Sequence, residues 1–208
     1  IKDPKINSWL LDKFLLMAEY EGLDVIICLN KYDLDKKKAE YYADIYRRAG
    51  YRVILTSCKL GIGIEELRYS LKNNISVLAG PSGVGKSTLL NTIDSRFNLA
   101  TGRVSSKTKR GRHTTRHIEL LELDEDSYIL DTPGFSSLNL DFIEDESQVR
   151  NYFREIHKHG GDCRFLSCLH HKEPNCAVKD RVEEGIIDKE RYENYLLLLD
   201  EVRNIRRY

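Results

Sequence analysis

No run of apolar residues in this 208-residue chain approaches the roughly 18 that a membrane-spanning helix needs, and no basic-then-apolar leader opens it. No membrane partner is expected, and the cytoplasm is the default location. The chain also lacks net charge, 33 basic residues balancing 33 acidic ones. A global field favouring nucleic acid or an anionic surface is excluded, so any such preference must come from local patches. Internal repeats and low-complexity tracts are absent. So is an initiator Met: the chain opens on Ile1, and "IKDP" carries no start signal, so a missing N-terminal part is expected. Cysteine is sparse and odd in number: Cys28 and Cys58 stand alone, while Cys163, Cys168 and Cys176 fall in one short segment. That distribution argues against a disulfide framework and for a metal site in a reducing compartment.

Enough apolar residues remain for a real core, 41% against 32% charged, and the length allows one large domain or two small ones. Ser8 to Tyr20 has helical apolar spacing and stops at Gly22. A strand-like "DVIICLN" follows, then the helix-like "DKKKAEYYADIYRRAG", the strand "YRVILTS", the helix "GIEELRYSLKN" and the strand "ISVLAG". Such alternation predicts an α/β fold on a mainly parallel sheet, whose ligands gather at the carboxyl ends of the strands. Asn30, Ser57, Gly80 and Asp131 all fall there. "HIELLEL" and "SYILD" read as a hairpin turning around Asp124 to Asp126. Beyond Pro133 the strand signal ends, and helices are expected at Glu144 to His157 and Lys189 to Arg206. The expected domains are residues 1–139 and 140–208.

"GPSGVGKS", Gly80 to Ser87, fits G-x-x-x-x-G-K-[ST] between a predicted strand and a predicted helix. In this loop Gly80, Pro81, Ser82, Gly83, Val84, Gly85, Lys86, Ser87 and Thr88 are expected to wrap phosphates with backbone N–H groups. Lys86 would reach the β/γ-phosphates and Ser87 would hold Mg²⁺. A Gly-rich structural turn is the plainer account of the same letters. "NKYD" (Asn30, Lys31, Tyr32, Asp33) resembles the N-K-x-D element of GTPases, where the Asp carboxylate accepts from guanine N1–H and the exocyclic amine. "TSCK" after the next strand resembles the S-A-K element, with Ser57, Cys58 and Lys59 supporting the guanine carbonyl; Cys58 is assigned no chemistry of its own. "DTPG" matches D-x-x-G, with Asp131 in the Mg²⁺ shell and the Gly134 N–H meeting the γ-phosphate. Alone, NKYD would be a weak signal that a structural turn explains nearly as well, and TSCK would be uninformative; together the four point to a GTPase binding GTP and GDP. A P-loop kinase would leave NKYD and TSCK without a role.

The order of these elements is unusual: base reader, base support, phosphate loop, then DTPG, a circular permutation of the usual GTPase order. The site is assembled from strand ends, so joining the old termini and cutting a surface loop leaves the sheet intact. With this order the chain resembles the circularly permuted, ribosome-associated GTPases of the RsgA (YjeQ/EngC) family. "LLDKFLLMAE", "LNKYDL", "GPSGVGKSTLLN", "GRHTTR", "LDTPGF" and "CRFLSCLHHKEPNCAV" run in that family's order over nearly the whole chain.

The resemblance implies a permuted P-loop GTPase domain followed by a small α-helical zinc-binding domain. It implies GTP hydrolysis stimulated by the small ribosomal subunit during late maturation, with that subunit and its rRNA as partners. An N-terminal RNA-binding barrel of the OB type belongs to the family and is not in this sequence. Nothing implies an oligomer, and a monomer is expected. A nucleotide-gated RNA-binding checkpoint, in which hydrolysis only resets binding, is the alternative.

Residue 135, which follows D-x-x-G, is Phe where small GTPases carry a water-orienting Gln, so unassisted hydrolysis should be slow. The family's proposed substitute maps onto His113; a surface His in a basic loop is the plainer reading. Thr114 or Thr115 is the expected Mg²⁺-sensing residue. Lys107, Lys109, Arg110, Arg112 and Arg116 crowd the same stretch and could neutralise RNA phosphates, with a solvated charged loop as the plainer alternative. Cys163, Cys168, His170 and Cys176 have C-x4-C-x-H-x5-C spacing: three thiolates and one imidazole, a closed tetrahedral shell for structural Zn²⁺. His157 and His159 stand as alternatives, and His171 is read as a bystander. The terminal "EVRNIRRY" is helical and basic, with a solvated face as its ordinary role.

Overall fold

A computed structural model describes residues 5–99, 119–131 and 138–205. The elements follow the expected alternation. Helix α1 (Ser8–Tyr20) precedes strand β1 (Ile26–Leu29), a short 3-10 turn at Tyr32–Leu34, helix α2 (Lys36–Arg48), strand β2 (Arg52–Leu55), helix α3 (Ile64–Ser70) and strand β3 (Ile75–Val77). Helix α4 (Lys86–Ile93) follows the glycine-rich loop, and strands β4 (Glu119–Asp124) and β5 (Ser127–Asp131) come next. The C-terminal part holds a 3-10 helix at Glu146–Tyr152, then α5 (Arg154–Gly160), α6 (Ala177–Glu183) and α7 (Lys189–Ile205).

Helix α1 starts where the sequence reading put it because Asn7 caps it, its side chain accepting the Leu10 N–H at 3.0 Å. The β4–β5 hairpin turns on Asp126, at φ 59°, a left-handed position that Asp tolerates better than most residues. The sheet departs from expectation. Among the described residues the strands form two groups, β1 with β2 and a three-stranded sheet in the order β3-β5-β4. Only β3 and β5 are parallel there; β4 is antiparallel to β5 because a tight hairpin joins them.

The stretch expected as one helix from Glu144 to His157 is broken at Phe153, whose backbone is extended at φ −108° and ψ 99°. The Phe153 ring is buried and meets the edge of Tyr195, a contact an unbroken helix would not aim the same way. Helix α6, capped at Cys176, is an element that the periodicity did not announce.

Packing divides the chain into two compact units. One comprises Ile1–Lys5, Cys28–Ala39 and Ile54–Ser136; the other comprises Ile6–Ile27, Glu40–Val53 and Ser137–Tyr208. The last of these breaks falls between residues 136 and 137, and α1 and residues 40–53 belong with the C-terminal segment. In the first unit Leu89, Leu90 and Ile93 of α4, Leu67 of α3, and Leu121, Leu123 and Ile129 of the hairpin are buried.

In the second unit Leu16, Phe153, Ile156, Tyr195, Leu198 and Val202 anchor a continuous apolar cluster that includes Cys168 and Cys176. At its heart lies Arg191, 2% exposed. Its guanidinium meets Asp12 at 2.5 Å and Glu155 at 2.7 Å and lies 4.6 Å from the centre of the Phe153 ring. Asn194 and Tyr46 complete the shell around Asp12 at 2.7 and 2.8 Å. Burial works against the Arg191 cation, but the two carboxylates outweigh it and hold it firmly protonated.

Candidate functional site

The strand ends do what the motif order requires. Thr56 N–H donates to Leu29 O at 3.0 Å and Tyr32 N–H to Thr56 O at 2.9 Å, so the NKYD and TSCK segments are knitted together just beyond β1 and β2. Asn30 is fixed from both ends. Its Oδ1 accepts Lys31 N–H at 2.8 Å and the Thr56 hydroxyl at 3.2 Å, while its Nδ2 donates to Val84 O in the glycine-rich loop at 3.0 Å. Lys31 Nζ reaches Gly83 O at 2.7 Å. Two residues of NKYD therefore hold two carbonyls of the phosphate loop.

Gly85 shows why that approach needs glycine. Its φ is 94°, and a Cβ there would stand 2.7 Å from Asn30 Nδ2. Ser57 donates to the Asp33 carboxylate at 2.6 Å, and this bond holds the Asp33 carboxyl below the usual carboxylate range. Asp33 is thus held as an ionised hydrogen-bond acceptor. The Cys58 thiol lies 3.9 Å from Asn30 Oδ1.

The loop between β3 and α4 presents Pro81, Ser82, Gly83 and Thr88 exposed, with Lys86 and Ser87 half-buried at the first turn of the helix. Lys86 Nζ donates to Gly80 O at 2.6 Å and Pro81 O at 3.2 Å, folding back on the carbonyls at the start of the loop. Parallel register pairs Val77 with Leu130, which sets the backbone of Asp131, the last residue of β5, level with the start of the loop. His113, Thr114, Thr115, Gly134 and Phe135, and the basic residues Lys107, Lys109, Arg110, Arg112 and Arg116, lie outside the described residues. Thr56, whose hydroxyl orients Asn30, is a site residue that the motif reading passed over although it opens "TSCK".

These features accord with a family profile described as RsgA GTPase, which the sequence matches over residues 1–141. The chain belongs to the RsgA GTPase family. It is 50% identical to the small ribosomal subunit biogenesis GTPase RsgA of Caldanaerobacter subterraneus subsp. tengcongensis, over 98% of this chain and 68% of that protein. It is 48% identical to the RsgA of Alkaliphilus metalliredigens, over 99% and 70%. In structure it resembles YjeQ from Thermotoga maritima, with a TM-score of 0.80, 39% identity, and 96% of this chain and 67% of that one covered. YloQ, described as a circularly permuted GTPase, follows with a TM-score of 0.77, 34% identity, and 97% and 65% covered. The chain thus spans about two thirds of the length of these relatives. It is a GTP hydrolase of the RsgA family, and the permuted motif order is that family's. No helix among the described residues is long and apolar enough to cross a membrane.

The second predicted site also assembles. Cys163, Cys168, His170 and Cys176 bring their ligand atoms within 4.8 Å of one another. His170 Nδ1 is 3.5 Å from Cys163 Sγ and 3.4 Å from Cys176 Sγ, and the Cys163 and Cys176 sulfurs are 3.8 Å apart. A tetrahedral ion with bonds of about 2.0 to 2.3 Å has ligand–ligand edges close to these lengths, so the set fits zinc. Burial keeps His170 neutral, at about 4, and pushes the Cys176 thiol up to about 12, so a thiolate there calls for a cation. All five cysteines are free of disulfides. His157, His159 and His171 are not in the cluster; His171 Nδ1 lies instead 3.5 Å from Arg203.

Proposed function

We propose that the chain hydrolyses GTP late in small-subunit maturation and that the subunit itself completes a site otherwise slow in catalysis. The observation that carries the reading is the grip of Asn30 and Lys31 on Val84 O and Gly83 O, which joins guanine selection to phosphate binding. Asp33, held ionised by Ser57, reads the base, with Lys31 and Tyr32 beside it and the backbone of Ser57, Cys58 and Lys59 supporting its carbonyl. Loop N–H groups from Gly80 to Thr88 receive the phosphates, and Lys86 exchanges the Gly80 and Pro81 carbonyls for phosphate oxygens. A water oxygen then bonds to the γ-phosphorus as the bond to the β–γ bridging oxygen breaks, GDP leaves with the electron pair, and the proton that the water sheds passes by way of the phosphate oxygens to solvent. Ser87 and Asp131 are the residues to hold Mg²⁺, which when bound neutralises charge building on the phosphates.

His113, Thr114 or Thr115, and Gly134 complete this assignment around the γ-phosphate. Phe135 cannot hydrogen-bond a water, and this supports dependence on the subunit and its rRNA, met by the basic residues around His113. Cys163, Cys168, His170 and Cys176 hold one structural Zn²⁺. The chain acts in the cytoplasm as a monomer.

Single-turnover GTP hydrolysis, measured with and without purified small subunits, tests the reading. We expect slow basal turnover, stimulation of at least tenfold, and loss of both in Lys86→Ala. Because Phe135 also suits a slow timer, tight GTP-dependent docking without stimulation would instead support a binding checkpoint.

A further inference from the structure

The segment that carries the four metal ligands has almost no regular structure of its own, so its backbone polar groups must find partners elsewhere. Side chains supply them. Arg150 Nη1 donates to Leu166 O at 3.0 Å and to Cys168 O at 2.8 Å. The Tyr195 hydroxyl donates to Leu169 O at 2.7 Å and the Tyr192 hydroxyl to His170 O at 2.6 Å. Lys179 Nζ donates to Glu173 O at 2.6 Å. One group does more: the Glu173 carboxylate accepts Leu169 N–H on one oxygen at 2.8 Å and His171 N–H on the other at 2.9 Å, bracketing His170.

His170 itself is strained. Its φ is 57°, in the left-handed region that a side-chain-bearing residue occupies only when its surroundings insist. In that pose Nδ1 faces the thiols, while Nε2 is buried with no hydrogen-bond partner among the described residues. The ring end carrying Nε2 fits because residue 160 is glycine; a Cβ there would come within 3.2 Å of it.

We propose that Glu173 is the positioning residue of the metal centre: by bridging the N–H groups on either side of His170, its carboxylate holds the left-handed backbone that presents Nδ1, and not Nε2, to the ion. The proposal rests on the zinc reading above. Two properties of the carboxylate are separable. Bridging needs both oxygens and the full side-chain length, whereas a general pull of negative charge on the site needs only the charge. Glu173→Gln keeps the length and loses one acceptor; Glu173→Asp keeps the charge and is one methylene too short to reach both N–H groups.

The test uses the whole chain. Zinc content is measured by mass spectrometry, zinc release by transfer to a chromophoric chelator, and the bound ring nitrogen by multiple-bond ¹H–¹⁵N correlation of the histidines. We expect one zinc per chain, Nδ1 ligation by His170, release roughly tenfold or more faster in both Glu173→Gln and Glu173→Asp, and release within twofold of the parent in Lys172→Ala on the same loop. Nε2 ligation in the parent overturns the proposal outright, even if no Glu173 variant folds. So does an unchanged release rate in Glu173→Gln, or a parent-like rate in Glu173→Asp, which would assign the effect to charge. A parent chain that holds no zinc at all overturns instead the zinc reading beneath it.

Discussion

The two sites of this molecule solve opposite problems with the same materials. At the nucleotide site, side chains from one loop hold carbonyls of another, Asn30 to Val84 and Lys31 to Gly83, and the loop they shape stays exposed at Pro81, Ser82 and Gly83. At the Cys163–Cys176 cluster, side chains also hold carbonyls, but Cys168, His170 and Cys176 are each only 1% exposed, with Cys163 half-buried beside them. The first arrangement leaves its loop open to solvent. The second satisfies its own backbone and is closed. A site that must exchange its ligand every cycle is drawn from open loops, and one that must never exchange is built into a core.

The hardest break in that contrast is at Arg191, which belongs to the closed side. Its guanidinium neutralises two carboxylates, and α7 also carries Tyr192 and Tyr195, which hold the metal loop. Arg191→Ala leaves Asp12 and Glu155 buried without a cation, at a cost of about 3–5 kcal/mol. The melting temperature should fall by roughly 10 °C. Calorimetry checks this, and a shift under 2 °C would mean that the charges find water. Arg191→Met with Asp12→Asn and Glu155→Gln should recover part of the loss, because no uncompensated charge then remains.

Asp33 is the counterpart on the open side, and its effect belongs to the ligand. Asp33→Ala should weaken GTP binding by about a hundredfold while leaving the melting temperature of the nucleotide-free chain within a degree or two. The Ser57 bond adds a pH signature. Because that bond lowers the Asp33 carboxyl below its ordinary value, guanine recognition persists as pH falls until the lowered value is passed. In Ser57→Ala the carboxyl returns towards its ordinary value, and binding is lost at a higher pH. Titrating a fluorescent GDP analogue from pH 7 to pH 4 distinguishes the two; overlapping acid limbs would show that Ser57 does not set the ionisation.

Much of both sites was legible in the sequence, and for a common reason. The proposed phosphate loop, base reader and metal ligands are local patterns of residue types, so Gly80 to Ser87, Asn30 to Asp33 and Cys163 to Cys176 can be picked out as segments directly. The supporting residues are not local. Glu173 is one acidic residue among 33 and acquires meaning only once its carboxylate is seen to bracket His170. Arg191 reads as a solvated helix residue, and nothing in "DKERYEN" reveals that Asp12, 179 positions earlier, stands beside it. The same limit hid the packing units: α1 precedes the base reader in the chain, yet its buried Asp12 ties it to α7, a pairing that periodicity cannot report.

Thr56 allows the finest cut between open and closed. Though part of the nucleotide site it is fully buried, and its hydroxyl fixes the Asn30 carboxamide that in turn holds Val84 O. Thr56→Val keeps the shape and removes that donor, leaving Asn30 Oδ1 with Lys31 N–H and the long Cys58 contact. A lost hydrogen bond of this kind is worth about 1 kcal/mol, so GTP affinity should fall about fivefold. Stability should drop by a similar amount, since a buried acceptor loses a partner in the free protein too. Measuring both in one variant makes the point: Asp33 acts on binding alone, Arg191 on stability alone, and Thr56 on each in nearly equal part. If Thr56→Val changed stability but left GTP affinity untouched, Asn30 would be held well enough by Lys31 and Val84, and the base reader would not depend on the core beneath it.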